Sequence, residues 1–576
     1  MTPILLFFLA VAGYFFAYHT YGRYLARKVF KLNSRAVVPA KQFADGKDFV
    51  ASSKHVMFGH HFTSIAGTGP IVGPAIGVIW GWGPAMLWIF FGSIFLGAVH
   101  DFGALIVSVR NEGKSLSDIA GRYINRRVRL MFFIIVFLAL LIVIAIFGLV
   151  IAIIFEQFPQ SVWAVWLEIP IAIGFGYLVF RRKYSLAGMT LLAVGLMYVF
   201  VYLGAESPLR LSPFFELPTT GLWTVILLIY AFIASVLPVG LLLQPRDYLN
   251  AWQLYVAMGL IVLGLIWTSL TKTFPLVAPV INLQPEGAPS MWPFLFITIA
   301  CGAVSGFHCL VCSGTSSKQI SSEQDTQFVG YGSMMMEAAL ATLIVVAVCA
   351  GIGLGYDSGS GIVTGSQAWQ SHYGSWQSSA GLGSKLTAVV LGCANMMGSF
   401  GMPYTVSVAI VGVFIASFAG TTLDSASRVQ RYIISELMTC IGVPRLSNKW
   451  IATTIAIVSA ACLAFSTGAD GKGALQLWPL FGAVNQLLAG LALMVITAYI
   501  RSRSGSLWTA SIAGGPCLIL MIITIWASVS NQIQYISEGK LLLSCINLSI
   551  LILAVFMSFE TVLSLSGKAI DREARS

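Results

Sequence analysis

Charge is what this 576-residue sequence has least of: Asp, Glu, Lys and Arg make up 10% of it, against 57% for the apolar set. A water-soluble domain carries about 25% charged and about 45–50% apolar residues. Too few polar side chains remain to cover a surface facing water. That excludes a soluble globular fold and, with it, disorder, fibrous repeats and nucleic-acid binding. The sequence also lacks a P-loop, an H-E-x-x-H and a G-x-S-x-G, and so the common motifs of nucleotide hydrolysis, zinc proteolysis and serine hydrolysis. Paired CxxC motifs are missing too. Cys309-x-x-Cys312 has the spacing but no second pair, whereas a structural zinc site needs four ligands. The nine cysteines read as small packing residues on apolar stretches.

What is there is a series of apolar runs long enough for the ~30 Å hydrocarbon layer, which takes about 20 helical residues. They fall near 3–22, 58–80, 84–109, 130–155, 164–180, 186–204, 221–243, 252–271, 292–312, 329–353, 450–467, 474–500, 507–528 and 541–561. A longer stretch, 386–423, is interrupted by Asn395, Gly398, Gly401 and Pro403, and is taken as one crossing plus a re-entrant piece. The first run has no basic residues before it and reads as an anchor rather than a cleaved signal. Alternating the loops puts 28 of the 33 Lys and Arg on one side, including Arg246, Lys318, Arg428 and the tail residues Lys568, Arg572 and Arg575. Only Arg210, Lys272, Lys385, Lys472 and Lys540 fall on the other. The positive-inside rule makes the first side cytoplasmic, with the N-terminus outside and the C-terminus inside. The net charge of +11 is therefore an orientation signal.

Two segments repeat a pattern. Gly59-His60-His61 through Gly67-Thr68 reads G-x-H-x5-G-T, and so does Gly306-Phe307-His308 through Gly314-Thr315. The loop assignment enters the first from the cytoplasm and the second from outside, the arrangement of inverted-repeat transporters. A weaker echo pairs Phe232–Ser235 and Arg246 with Phe414–Ser417 and Arg428.

Gly67, Thr68, Gly69 and Pro70 lie about ten residues into their run, near mid-depth at ~1.5 Å per residue. The glycines permit a non-helical break, and Pro70 suits the first turn of a new helix. The N–H groups opening that half-helix would attract a carboxylate. Ser313, Gly314 and Thr315 are the matching candidates in the second copy. Ionisable groups at membrane depth are costly and mark function. His60, His61, His100, Asp101, His308 and Asp424 are the candidates for proton or ion coupling, with Glu337 noted beside them. For Asp424 an i,i+4 pair with Arg428 is the plainer alternative. Glu168 stands near the outer interface, where its carboxyl can snorkel. Asn485 and Gln486 need partners and read as contacts between helices.

These residues resemble the carbon starvation protein A family. The resemblance is carried by Asp45–Val50, Gly59–Pro70 with Val72-Gly73-Pro74, Gly97–Phe102, Ser305–His308, Ser313–Thr315, Glu323–Asp325, Gly330–Gly332, Ala419–Asp424 and Trp478–Gly482 with Asn485-Gln486. It covers residues 45 to 490. His100 stands where members often have Gln, and Cys312 where Ser is common. The resemblance implies a bacterial inner-membrane importer of short peptides or pyruvate, induced in carbon starvation and grouped with the amino acid-polyamine-cation transporters. It implies no catalytic activity.

The expectation is an all-α polytopic membrane protein of about 15–16 segments, with inverted repeats and broken helices in a LeuT-like arrangement. Residues 1–57 would form the anchor and basic loop, 58–290 and 291–500 the two repeats, and 501–576 the C-terminal helices and tail. The protein would be a secondary active transporter without cofactor or resident metal, driven by a proton or sodium gradient. Its partners would be the small-molecule substrate and membrane lipid, with no nucleic acid. The alternative is a membrane-embedded metal-binding sensor or enzyme built on His60 and His61.

Overall fold

Apolar runs fold as helices here because, in lipid, every backbone polar group must be satisfied within its own segment. The computed structural model describes residues 2–565 apart from 360 and 380. Among the described residues the helices are, in order, α1 (Pro3–Val29), α2 (Lys54–Ala66), α3 (Gly69–Trp80), α4 (Trp82–Val109), α5 (Arg126–Gln157), α6 (Pro159–Arg181), α7 (Leu186–Glu206), α8 (Thr219–Val236), α9 (Leu243–Thr271), α10 (Met291–Thr298), α11 (Gly306–Gly314), α12 (Gln327–Leu354), α13 (Leu382–Gly398), α14 (Tyr404–Cys440), α15 (Lys449–Ala464), α16 (Lys472–Ser504), α17 (Leu507–Ser537) and α18 (Leu541–Leu565). Between them lie two further short helices, Leu116–Tyr123 and Gly365–Tyr373, several helical turns, and an antiparallel strand pair, Tyr356–Asp357 with Ile362–Val363.

Twelve of these are long and apolar enough to cross a membrane, and α2 with α3, bent by 43°, raises the number to as many as 13. The expected 15–16 segments are not reached. Residues 292–312 form two short helices, α10 and α11, separated by seven non-helical residues. Residues 450–467 form α15, a helix of only 16 residues. The expected basic tail at Lys568, Arg572 and Arg575 lies outside the described residues.

The long helices α5, α12 and α14 make the centre and are buried over most of their length. The outer helices α1, α7 and α18 turn large apolar side chains outward, such as Phe15, Leu191 and Phe559, as a lipid-facing surface requires. Against the centre lie the two interrupted helices, running antiparallel. His61 lies beside Ser316, Gly69 beside Cys301, Gly73 beside Thr298, and Gly81 beside Ile281.

Helix α13 runs along one face rather than through the molecule. Its first turn meets Gln157 at the end of α5. Its last turn donates from Asn395 to the carbonyls of Gly351 and Gly355 at the end of α12. Just beyond it, Ser399 bonds Thr268 near the end of α9. Those three helix ends share a face, so 386–423 contributes a single crossing, α14. On the opposite face the basic segments gather: Val50 and Ser52 pair with Lys318 and Gln319, and Arg110 bonds both Phe30 and Glu323.

A cavity between two helix breaks

The first break follows directly from glycine and proline chemistry. Gly67 has φ +35°, in the region only glycine adopts freely, and a Cβ there would stand 2.7 Å from Thr422 Oγ1. Thr68 precedes α3, and Pro70 occupies its first turn, where a missing N–H costs nothing. The Thr68 carbonyl accepts from the N–H groups of Ile71 and Val72. The N–H groups of Thr68 and Gly69, and the Thr68 hydroxyl, have no hydrogen-bond partner among the described residues.

The second break is at Ile299–Ser305 and ends nine residues before the Gly314–Thr315 expected to hold it. Gly314 lies inside α11 and Thr315 ends it. The backbone of this break is held by side chains from elsewhere. Glu337 Oε1, on α12, accepts from Gly302 N–H at 3.1 Å, where Gly302 has φ +90°. Asn485 Oδ1, on α16, accepts from Phe307 N–H at 2.9 Å and from Ser305 Oγ at 3.1 Å. It thereby satisfies a donor that the start of α11 leaves open. Asn485 is thus the contact between helices that its sequence suggests, and it also caps a break.

Between the breaks opens a cavity of about 680 Å³. Thr68, Gly69, Cys301 and Asn485 form its deep end. Its mouth is formed by Gly287–Pro289, Trp376, Lys385 and Lys540, on the face along which α13 runs. Of the expected substrate residues, Thr68 and Gly69 line the cavity, while Gly67 and Pro70 flank them in the chain and do not line it. Ser313, Gly314 and Thr315 do not reach it. Ser313 Oγ bonds Cys309 O, Gly314 packs on Val429, and Thr315 Oγ1 returns to Val311 O. Cys301 and Asn485 take their place.

The coupling candidates separate into two buried groups. In the first, the Asp101 carboxylate accepts from His100 Nδ1 at 2.7 Å and from His308 Nδ1 at 2.8 Å. His308 Nε2 lies 3.3 Å from Glu337 Oε2, so the chain of ionisable groups ends on the carboxylate that holds the second break. All four side chains are fully buried. His61 approaches the same group through Cys312, whose sulfur is 3.9 Å from His61 Nε2 and 3.4 Å from the Asp101 carbonyl.

In the second group, His60 Nδ1 bonds Asp247 Oδ2 at 2.6 Å and its Nε2 faces Gln319 Nε2 at 3.1 Å. The ring therefore donates through Nδ1 and accepts through Nε2. Adjacent histidines thus turn to different partners, His60 to Asp247 and His61 to Ser316. Among the described residues no three His, Cys, Asp or Glu side chains are placed to hold a metal ion, which removes the basis for a metal site at His60 and His61.

Asp424 does not pair with Arg428. It accepts from Arg246 Nη1 at 2.6 Å and from Tyr230 at 2.7 Å. Arg246 also bonds Glu168, which is fully buried rather than at the interface, and which Asn250 and Ser417 satisfy further. Arg246 itself is no loop residue: it lies in the first turn of α9 and is 2% exposed. Arg428 instead reaches the carbonyls of Ala234 and Leu237 at the end of α8, and Asp48 at 2.9 Å. Sequence reasoning left Arg246 in a loop and missed Asp247 because the apolar run begins only at 252.

The family described as carbon starvation protein CstA matches residues 2–527. The peptide transporter CstA of Campylobacter jejuni is 32% identical over 588 residues, covering 94% of this chain and 82% of its own. That of Helicobacter pylori (strain ATCC 700392 / 26695) is 33% identical, over 92% and 83%. The pyruvate/proton symporter BtsT of Escherichia coli is 31% identical, over 90% and 80%. With an interrupted-helix cavity inside an all-helical membrane fold and matches of this extent, the chain belongs to the carbon starvation protein CstA family, a family of multi-pass membrane transporters.

Proposed function

We propose that the chain is a proton-coupled importer of small carboxylate-bearing nutrients, short peptides or pyruvate, across a bacterial inner membrane. The observation that carries this reading is the deep end of the cavity. There the unpartnered N–H groups of Thr68 and Gly69 open α3. A half-helix N-terminus carries partial positive charge and free donors, which suits a carboxylate. The Thr68 hydroxyl adds a donor. The relatives named above include a pyruvate/proton symporter and peptide transporters, and both substrate kinds carry a carboxylate.

The two interrupted helices belong to inverted repeats, with α2–α3 and α10–α11 as the corresponding elements. The antiparallel pairing of the two supports this. The cavity mouth faces outward, because its lysines Lys385 and Lys540 belong to the sparse set of the positive-inside division. The far side is shut by a latch: Arg428 and the Tyr432 hydroxyl on Asp48 at 2.9 and 2.6 Å, and Lys318 over the Tyr432 ring at 3.8 Å.

Coupling runs through Glu337, His308, Asp101 and His100. A proton entering at Glu337 weakens its hold on Gly302 N–H, and so on the second break. Passage through His308 to Asp101 moves the charge toward the latch side. His61 lies alongside this route, whereas His60 and Asp424 serve the buried ion pairs.

Competition for binding tests the carboxylate assignment. Dialanine and pyruvate should displace a labelled substrate, and their carboxamide counterparts, dialanine amide and pyruvamide, which lack the anionic carboxylate, should do so at least tenfold more weakly. Equal competition by the amides would remove the carboxylate from the half-helix N-terminus.

A further inference from the structure

We infer that one face of α17 is a second subsite of the cavity, which binds the amide-bearing part of a peptide-length substrate. This rests on the transport reading above and deepens it, since a three-carbon acid has no such part.

Asn531, Gln534, Tyr535 and Glu538 all line the cavity. Their spacing of three, four and seven residues puts them on one face of the helix. Gln534 and Glu538 are occupied: Gln534 Nε2 donates to Glu538 Oε1 at 2.7 Å, and Lys540 Nζ lies 2.6 Å from Glu538 Oε2. Asn531 and Tyr535 are different. Each is only 3% exposed, and neither Asn531 Nδ2 nor the Tyr535 hydroxyl has a hydrogen-bond partner among the described residues.

Buried polar atoms are nearly always satisfied. Two unsatisfied donors one helical turn apart, on the wall of the cavity, are groups that a ligand completes. Both suit carbonyl oxygens, Asn531 through its amide N–H and Tyr535 through its phenol. The face from 531 to 538 rises about 10 Å, at 1.5 Å per residue. Its two unoccupied donors stand about 6 Å apart along the helix, about the length of two residues of extended chain at 3.3–3.6 Å each. The volume of about 680 Å³ falls in the ~300–1,000 Å³ range of sites for drug-sized ligands, far beyond what pyruvate fills. The carboxylate of a peptide would rest at Gly69 while its amide carbonyl, which has two lone pairs, accepts from Asn531 and Tyr535 on α17.

The test compares dialanine with pyruvate in wild type, Asn531→Leu, Tyr535→Phe and the conservative Asn531→Gln. We expect KM for dialanine to rise roughly tenfold in the first two variants, since a lost buried hydrogen bond changes affinity by about that factor. Pyruvate uptake should stay within about twofold, and Asn531→Gln, which keeps the amide donor, should recover most of the loss. Unchanged dialanine kinetics, or equal losses for both solutes in variants with a normal size-exclusion profile, would overturn the subsite.

Should wild type transport neither solute, the transport reading fails on its own. Equilibrium binding of dialanine to the purified protein then decides the subsite. Weaker binding by Asn531→Leu and Tyr535→Phe sustains it, and equal binding or none by wild type overturns it.

Discussion

Gly69 and Cys301, one in each interrupted helix, meet so closely that a Cβ on Gly69 would stand 2.2 Å from the Cβ of Cys301 and 2.3 Å from its sulfur. The two breaks are thus held at backbone distance, and the shape of the deep cavity depends on Gly69 having no side chain. Gly69→Ala should cut uptake about tenfold or more, because overpacking of this kind costs about 1–3 kcal/mol. Cys301→Gly removes both opposing atoms, so the double variant should recover much of the activity. A double variant as inactive as Gly69→Ala would show that the contact does not set the site.

Glu337 joins two functions in one carboxyl group, holding Gly302 N–H and facing His308. Glu337→Gln keeps an oxygen to accept from Gly302 but cannot carry a proton. Substrate binding should persist while uptake loses its stimulation by a proton gradient. Retained stimulation would take Glu337 out of the coupling route. Asp101→Asn should lose the same stimulation, with a larger cost in stability, because two imidazoles would lose their charged acceptor.

Arg246 is the only link between Glu168 and Asp424 among the ion pairs of the described residues. Removing one member of a buried charge cluster costs about 3–5 kcal/mol, because the others remain buried without compensation. Arg246→Ala should therefore lower the melting temperature strongly. Arg246→Lys should recover little of it, since an ammonium cannot reproduce the planar fork that reaches Glu168, Asp424 and Tyr230 together.

The latch at Asp48 should be insensitive to pH across the physiological window. Burial alone would raise its carboxyl, but Arg428, the Tyr432 hydroxyl, Arg431 and Lys318 together hold it below the ordinary carboxylate value. A group with a lowered pKa contributes its stabilisation above the ordinary value and loses it only as pH falls through the lowered one. Between about pH 5 and 8 the latch stays charged and contributes no pH dependence of uptake. Asp48→Asn should open the closed side more often. Mass spectrometry would read this as faster N-ethylmaleimide labelling of Cys312, which is fully buried. An unchanged labelling rate would contradict the latch.

The first break was legible in the sequence because Gly67, Gly69 and Pro70 state their backbone chemistry locally. The second was not. Ile299–Ser305 is mostly apolar with a single glycine, and its non-helical backbone is held by Glu337 and Asn485, each far along the chain. The G-x-H-x5-G-T echo misled for a related reason. Its first copy runs down α2 into the break at Gly67-Thr68, whereas its second runs along α11 after the break, so its second Gly-Thr falls at the far end of α11. Of the weaker echo, Arg428 of the second copy does reach a member of the first, the Ala234 carbonyl. The ionisable side chains were legible as costly residues at membrane depth. Their partners were not, because Arg246 meets Glu168 and Asp424 at separations of 78 and 178 residues.

The most direct test of the account is uptake of labelled dialanine and labelled pyruvate into proteoliposomes, with and without an imposed inward proton gradient, by wild type and by Gly69→Leu. The account predicts that wild type accumulates at least one of them above the outside concentration, only with the gradient, and that Gly69→Leu, though folded, accumulates neither. Accumulation independent of the gradient, or equal uptake by Gly69→Leu, would contradict it.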